Sequence, residues 1–401
     1  MSLITPSSRP KGPHKGGARR NENNRIYACP LPLVFSHPPP SHIGSILHFL
    51  GLSLTRVVNP HCEGIFDPMT RSVWIENPAQ ALLLWRRGFF GKGDLSRSEP
   101  SWYTRQVNIR KMGGKQLTSE EVTAKRRAER KQFKADRAAA IAAVAEEAET
   151  IFATEGRVIT PALSGPAIPS AATWRPSPAP TETPVTPIVE EEQEHVDVEE
   201  EPLEDVEHLQ LTLQEAYFLL WNLDCLNILD RFTLEPMSLQ DIWIAFQTAH
   251  LPPQLSPQPS SSKLQFDNPF LINYVVYHHY RSLGWVVKGG IKFCVDYLLY
   301  KRGPVFSHAE FALVVCPVYE DPEDQATSSI DLQNSSPFAW SWLSTINRVN
   351  SQVQKTLILV YVTIPAKSRL SLDVLNSPAC FAHYSVREVI LRRFIPARMR
   401  D

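Results

Sequence analysis

The sequence predicts an α+β protein, and three observations carry that reading. Phe293–Tyr300, Phe311–Val315 and Thr356–Val362 are apolar runs of strand length, crowded into the last third of the chain. Thr212–Leu220, Ser238–Phe246 and the stretch from Asn268 to Gly284 each open on a capping residue and continue with helical spacing. Thr118 to about Glu149 is unbroken Ala, Glu, Lys and Arg, a helix too polar to be buried. The resulting order is an α/β N-terminal region at 27–117, a long charged helix at 118–158, a small helical subdomain at 209–262 and a mixed sheet flanked by helices at 263–401.

Each element has its own signal. Residues 1–26 are rich in Pro, Gly, Lys, Arg and Asn, and are expected to stay disordered until something binds them. Ser41–Leu50 has helical spacing, and Arg71–Ile75 reads as a short strand after the turn at Asp67-Pro68. Asn77 caps a helix with Pro78 at its first position, Arg86 and Arg87 in its last turn and Gly88 as its stop. Thr118-Ser119-Glu120-Glu121 forms a capping box for the long helix. Its first half, Lys125–Lys131, suits RNA, an import signal or merely a solvated face. The segment 159–208 is Pro-rich and then acidic, with eleven Asp and Glu between Glu190 and Glu207, so it cannot build a core and reads as a linker. Tyr384–Phe394 is expected as an edge strand, followed by a basic tail.

Net charge is −1 over 401 residues, yet the charge is segregated. Lys plus Arg against Asp plus Glu number 24 and 14 in 1–158, 2 and 17 in 159–262, and 15 and 11 in 263–401. Two basic parts flanking an acidic one suit a polyanionic partner. The six cysteines show neither a CxxC pair nor zinc-ligand spacing, so buried free thiols are expected and no metal or other cofactor is called for. Met1–Gly17 carries no apolar signal region and no run nears the roughly 18 apolar residues of a membrane span. A soluble intracellular protein with no membrane insertion is expected.

The chemistry concentrates at Tyr300–His308. Extended residues advance about 3.3 Å each, so Tyr300 and His308 would lie far apart unless the chain reversed, and Gly303-Pro304 supplies the reversal. Lys355 opens the buried run Thr356–Val362, which sets its ammonium at a sheet edge. A phenol, an imidazole and an ammonium suffice for RNA cleavage by internal attack: a base for the ribose 2′-hydroxyl, an acid for the departing 5′-oxygen, and a cation for the phosphorane. The same three residues also fit structural roles, as a Tyr packed at a sheet end, a His bonded beside a turn and a Lys snorkelling from a strand. Gly88–Pro100 resembles a phosphate-cradling loop in its glycines alone, for it lacks the GKS/T ending.

Asp296-Tyr297-Leu298-Leu299-Tyr300-Lys301-Arg302-Gly303-Pro304-Val305-Phe306-Ser307-His308 resembles the tRNA-intron endonuclease family, which carries a Tyr, a His eight to ten residues on, and a distant Lys starting a strand. Arg348–Lys355 resembles the segment in which the family sets an Arg seven residues before that Lys. The match runs from roughly Leu209 to the C-terminus, and Gly88–Pro100 resembles a segment marking the larger, 5′-splice-site-cutting catalytic subunit of the eukaryotic enzyme. The resemblance implies Tyr300 as general base, its phenolate favoured by Lys301, Arg302 and Lys355, with His308 as general acid and Lys355 as electrostatic stabiliser. It implies Arg348 and an aromatic residue as a clamp on a flipped-out nucleotide, with Arg302 a further RNA contact. The aromatic position falls at Phe394, where the family pattern has Trp. It further implies pre-tRNA as substrate, 2′,3′-cyclic phosphate and 5′-hydroxyl products, no metal, and a four-subunit assembly with a second catalytic and two structural subunits. The nucleus is the expected location, with the cytosolic face of the mitochondrial outer membrane as alternative. A non-catalytic scaffold of the same assembly is the rival function. A metal-dependent nuclease is the third, and the sequence lacks the Asp…Glu-x-Lys cluster that such enzymes use.

Overall fold

Residues 18–36, 56–96, 98–111, 119–155, 203–251, 264–335 and 338–392 are described by the structure, a computed structural model. The chain divides into two compact units, Met1–Tyr103 with Asp205–Asp401, and Thr104–Glu204. In chain order the first unit begins with α1 (Ala18–Ile26), β1 (Val34–Ser36), β2 (Arg56–Val58), β3 (Cys62–Asp67), β4 (Ser72–Ile75), α2 (Pro78–Arg86) and β5 (Lys92–Gly93). Helix α3 (Trp102–Lys111) leads into the second unit, whose one long element is α4 (Ser119–Glu155). The first unit resumes with β6 (Leu209–Thr212), α5 (Leu213–Tyr217), β7 (Leu226–Asp230), α6 (Leu239–Thr248), α7 (Pro269–Ser282), β8 (Val286–Gly289) and β9 (Tyr297–Tyr300). It closes with β10 (Phe311–Tyr319), α8 (Pro322–Ala326), α9 (Trp340–Gln352), β11 (Thr356–Ile364) and β12 (Ser385–Leu391).

Two five-stranded mixed sheets organise the first unit, in keeping with the α+β expectation. One runs β12-β11-β10-β9-β8, with β10 parallel to β11 and its other neighbours antiparallel. β11 reads as a continuous apolar run because neighbours flank it and side chains cover both its faces, with Leu357, Ile358, Leu359 and Val360 all buried. One face packs on α7 through Tyr277 and Tyr280, and the opposite face on α9 through Ile346. The edge strand expected near Tyr384–Phe394 is β12, and Phe394 itself lies outside the described residues.

The other sheet, β5-β6-β4-β3-β7, corrects the sequence reading. Residues 27–117 and 209–262 were expected as separate regions, the latter purely helical. Instead β6 lies between β5 and β4, and β7 pairs parallel with β3. Strand partners more than a hundred residues apart leave no mark in local periodicity, and Leu209–Thr212 is too short to signal itself. The capped helices do form: Thr212 and Glu215 make the capping box of α5, and Ser238, Asn268 and Asn77 cap α6, α7 and α2.

Further differences are local. Ala18–Ile26, expected to be disordered, is helical and ends on buried Tyr27. Ile291–Phe293 is a 3-10 turn, so the strand expected from Phe293 starts at Tyr297. Ser41–Leu50, Thr118 of the expected capping box, and 159–202 of the expected linker lie outside the described residues. Of the cysteines, Cys62, Cys225, Cys316 and Cys380 are buried and Cys294 is exposed, all as free thiols.

Candidate active site

Register fixes the site before any side chain is considered. Leu299 pairs with Phe311 and Phe311 with Thr356, so Tyr300 is one residue past its pair and Lys355 one residue before its own. Glu310 stands between them: its N–H donates to Leu299 O at 3.0 Å, and its carbonyl accepts from Thr356 N–H at 3.1 Å. His308 precedes Glu310 by two residues. Tyr300, His308 and Lys355 therefore end up at one end of three consecutive strands, spaced about 4.8 Å apart between neighbours. Alternation adds a face. Tyr300 follows Leu298 by two and Lys355 precedes Leu357 by two, and Leu298 and Leu357 belong to the apolar cluster under α9.

Lys355 is only 8% exposed. Its ammonium sits 4.4 Å from the centre of the Phe293 ring and donates to Val353 O at 3.5 Å. Its N–H donates to Asn350 O at 2.9 Å, and Asn350 Nδ2 reaches back to Phe293 O at 3.4 Å. Gln354, at φ 57°, makes the tight exit from α9 that brings the lysine onto the strand. Burial lowers the Lys355 pKa from the ordinary lysine value.

Tyr300 is half-buried, and burial raises its phenol above the ordinary value. The expectation that nearby cations favour its phenolate is not met in the free chain, because two of those cations are turned elsewhere. Arg302 lies 4.2 Å above the Phe306 ring and donates to Asn24 Oδ1 at 3.2 Å, while Lys355 rests on Phe293. His308 is exposed on the turn, and Arg348 is exposed on α9, seven residues before Lys355. Among the described residues, no group of three His, Cys, Asp or Glu could hold a metal ion.

The turn between Tyr300 and His308 rests on a residue that the sequence did not flag. Gly303 has φ 122°, and a Cβ there would stand 2.2 Å from Phe89. Phe89 is itself left-handed at φ 59° and 4% exposed. Its ring stacks on Tyr27 at 5.2 Å and meets Trp85 edge-on at 5.6 Å. Two cations, Arg281 buried and Lys288 partly so, fasten the loop that carries it: Arg281 donates to Gly88 O, and Lys288 donates to Gly91 O at 2.7 Å and to Glu215 at 3.0 Å. The glycines of this loop thus serve close packing, Gly88 against Phe90 and Arg281, Gly91 against Leu209 and Leu211 of β6 and Gly93 against Glu207, and their spacing was the available signal.

A family model for the tRNA intron endonuclease catalytic C-terminal domain matches residues 270–369, which include the whole Tyr300–Lys355 arrangement. The probable tRNA-splicing endonuclease subunit sen2 of Schizosaccharomyces pombe is 33% identical over 95% of this chain and 100% of its own length. This chain belongs to the Sen2 family of tRNA-splicing endonuclease subunits. The Sen2 subunit of Saccharomyces cerevisiae is 30% identical over 94% of this chain and 98% of its own length. That of Mus musculus is 34% identical over 50% of this chain and 37% of its own. The Sen2 likeness to the fungal proteins therefore extends over both sheets of the first unit and not over the catalytic domain alone. No described helix is long and apolar enough to cross a membrane.

Proposed function

We propose that this Sen2-family chain is the catalytic subunit that cuts the 5′ exon–intron boundary of intron-containing pre-tRNA. The observation that carries the reading is the shared sheet end of Tyr300, His308 and Lys355, with Tyr300 and Lys355 on one face. In the proposed step the ribose 2′-oxygen attacks the adjacent phosphorus, and Tyr300 takes its proton. The bond from phosphorus to the 5′-oxygen breaks, His308 gives that oxygen a proton, and Lys355 balances charge on the phosphorane. A 2′,3′-cyclic phosphate and a 5′-hydroxyl result. Arg348 is assigned to stack on an unpaired base, in the assembly with a second catalytic and two structural subunits.

The two shifted groups give the proposal a pH signature. With its phenol raised by burial, only a small phenolate fraction of Tyr300 serves as base at neutral pH, so the contribution of the base to the rate rises with pH. With its ammonium lowered, Lys355 loses its charge earlier than an ordinary lysine, so the rate turns down again on the alkaline side. A single-turnover pH–rate profile checks both limbs. Lys355→Arg keeps its charge at high pH and is expected to move the downturn to higher pH.

The deciding experiment reconstitutes the assembly with His308→Ala and maps the ends of the cut pre-tRNA. Loss of the 5′ cut with the 3′ cut retained is expected, and 5′ cutting at the wild-type rate leaves the scaffold role instead. Cleavage that persists in EDTA is expected, and its loss would point to a metal-dependent reaction.

A further inference from the structure

Helix α1 should not be stable on its own. Its sequence, Ala-Arg-Arg-Asn-Glu-Asn-Asn-Arg-Ile, has nine residues and no apolar stripe, and isolated helices of that length are marginal in water. It is held at its C-terminal end. Tyr27 N–H donates to Asn23 O at 3.0 Å, and the Tyr27 ring, 9% exposed, stacks on Phe89 and meets Phe306 edge-on at 6.1 Å. The Tyr27 hydroxyl donates to Glu99 at 2.9 Å. From the other side, Arg302, two residues past Tyr300, donates to Asn24. A short polar helix is thus moored to the turn that joins Tyr300 to His308.

Its charge says what it is for. Arg19, Arg20 and Arg25 stand against a single acidic residue, Glu22, and Arg25 is exposed. Upstream come Arg9, Lys11 and Lys15 with no acidic residue at all. The nearby carboxylate of Glu99 is engaged by Arg86 at 3.0 Å as well as by Tyr27. Packing alone does not call for a cationic helix moored beside a reactive turn. A polyanion that passes the turn does.

We propose that α1, moored by Tyr27 on Phe89 and Phe306, is an arm that grips the phosphate backbone of the RNA next to the cleaved bond. The proposal rests on the assignment of Tyr300–His308 to the cleavage site. It adds a sequence-independent contact that holds the strand against the turn, with Arg25 exposed next to Asn24 in the helix and Arg302 bonded to Asn24.

The test uses the reconstituted assembly in a His308→Ala background, so that bound pre-tRNA stays intact. Binding is measured between about 50 and 200 mM salt, with and without Arg19→Gln, Arg20→Gln and Arg25→Gln together. The expected result is a slope of log affinity against log salt shallower by roughly two to three, about one per lost phosphate contact. Tyr27→Ala, which keeps every charge but frees the helix, is expected to weaken binding in the same direction. An unchanged slope in the triple variant overturns the arm, and so does weakened subunit assembly with the slope intact, which would make α1 a protein contact. A slope change in the triple variant, together with a 5′ boundary that the unsubstituted assembly leaves uncut, would sink the cleavage assignment and keep the RNA contact.

Discussion

The two five-stranded sheets of the first unit are built in opposite ways. The β8–β12 sheet is made from one stretch of chain, and every strand pairs with one next to it in sequence. The β3–β7 sheet is interlaced: β6, which follows the Thr104–Glu204 unit, is inserted between β5 and β4, which precede it. The contiguous sheet carries the reactive side chains. The interlaced one carries the loop on which their turn rests. A nuclease-like sheet complete in itself has been given a support that closes only when both halves of the chain are in place.

The seam between the sheets is where that difference can be broken most severely. Lys288, on β8, is mostly buried, its side chain 16% exposed, and meets Glu215, on α5 just after β6, at 3.0 Å. Glu215→Gln keeps the shape of the cap and removes the charge, leaving an ammonium buried without a counterion. A loss of about 3–5 kcal/mol in unfolding free energy is expected. Its pH dependence is diagnostic. Burial already lowers the Lys288 pKa below the unfolded value, so between the two values the unfolded chain binds more protons and stability rises with pH. Without Glu215 the folded value drops further, so denaturant titrations of the variant should regain stability more steeply on the alkaline side.

Within the contiguous sheet the expected losses are in rate and not in folding. Lys355→Met removes a cation that burial disfavours and keeps a stem that can lie on Phe293. Cleavage of the 5′ boundary is expected to fall by about 10²–10³, the usual cost of one transition-state charge contact. The melting midpoint is expected to hold or rise, because the fold no longer buries an ammonium. A midpoint that fell along with activity would make Lys355 a structural residue.

What could be read in advance follows the same division. Thr356–Val362 and Phe311–Val315 announced themselves because strands covered on both faces must be apolar throughout. Asn77, Asn268, Ser238 and Thr212 announced helix starts because an orphaned N–H needs an acceptor nearby in sequence. That Tyr300 and Lys355 share a face follows from counting residues along two such strands. The support was hidden because its determinants are not local. Phe89 is an ordinary aromatic residue until the fold lays its ring on Gly303, more than two hundred positions away, where a Cβ would not fit. Arg281 and Lys288 look like helix-end and strand-end cations, and only the fold turns them onto the carbonyls of Gly88 and Gly91.

The smallest expected effect tests whether the interlaced sheet needs the segment that separates its strands in sequence. Trp102 N–H donates to Glu207 Oε2 at 2.7 Å, so the chain leaves the first unit and re-enters it at neighbouring points. Pairing of Gly93 with Leu209 closes the sheet close by. Replacing Thr104–Glu204 with a Gly/Ser linker about one-eighth as long should leave that pairing intact. Loop closure costs about 0.6 kcal/mol per doubling of length, so three halvings are expected to stabilise the first unit by at most about 2 kcal/mol. A rise of that size in the denaturant midpoint, with the slope scaled only to the surface removed, would mean that the interlaced sheet is held by its own strands. A fall would mean that Thr104–Glu204 contributes to its stability, and the support would then have three parts instead of two.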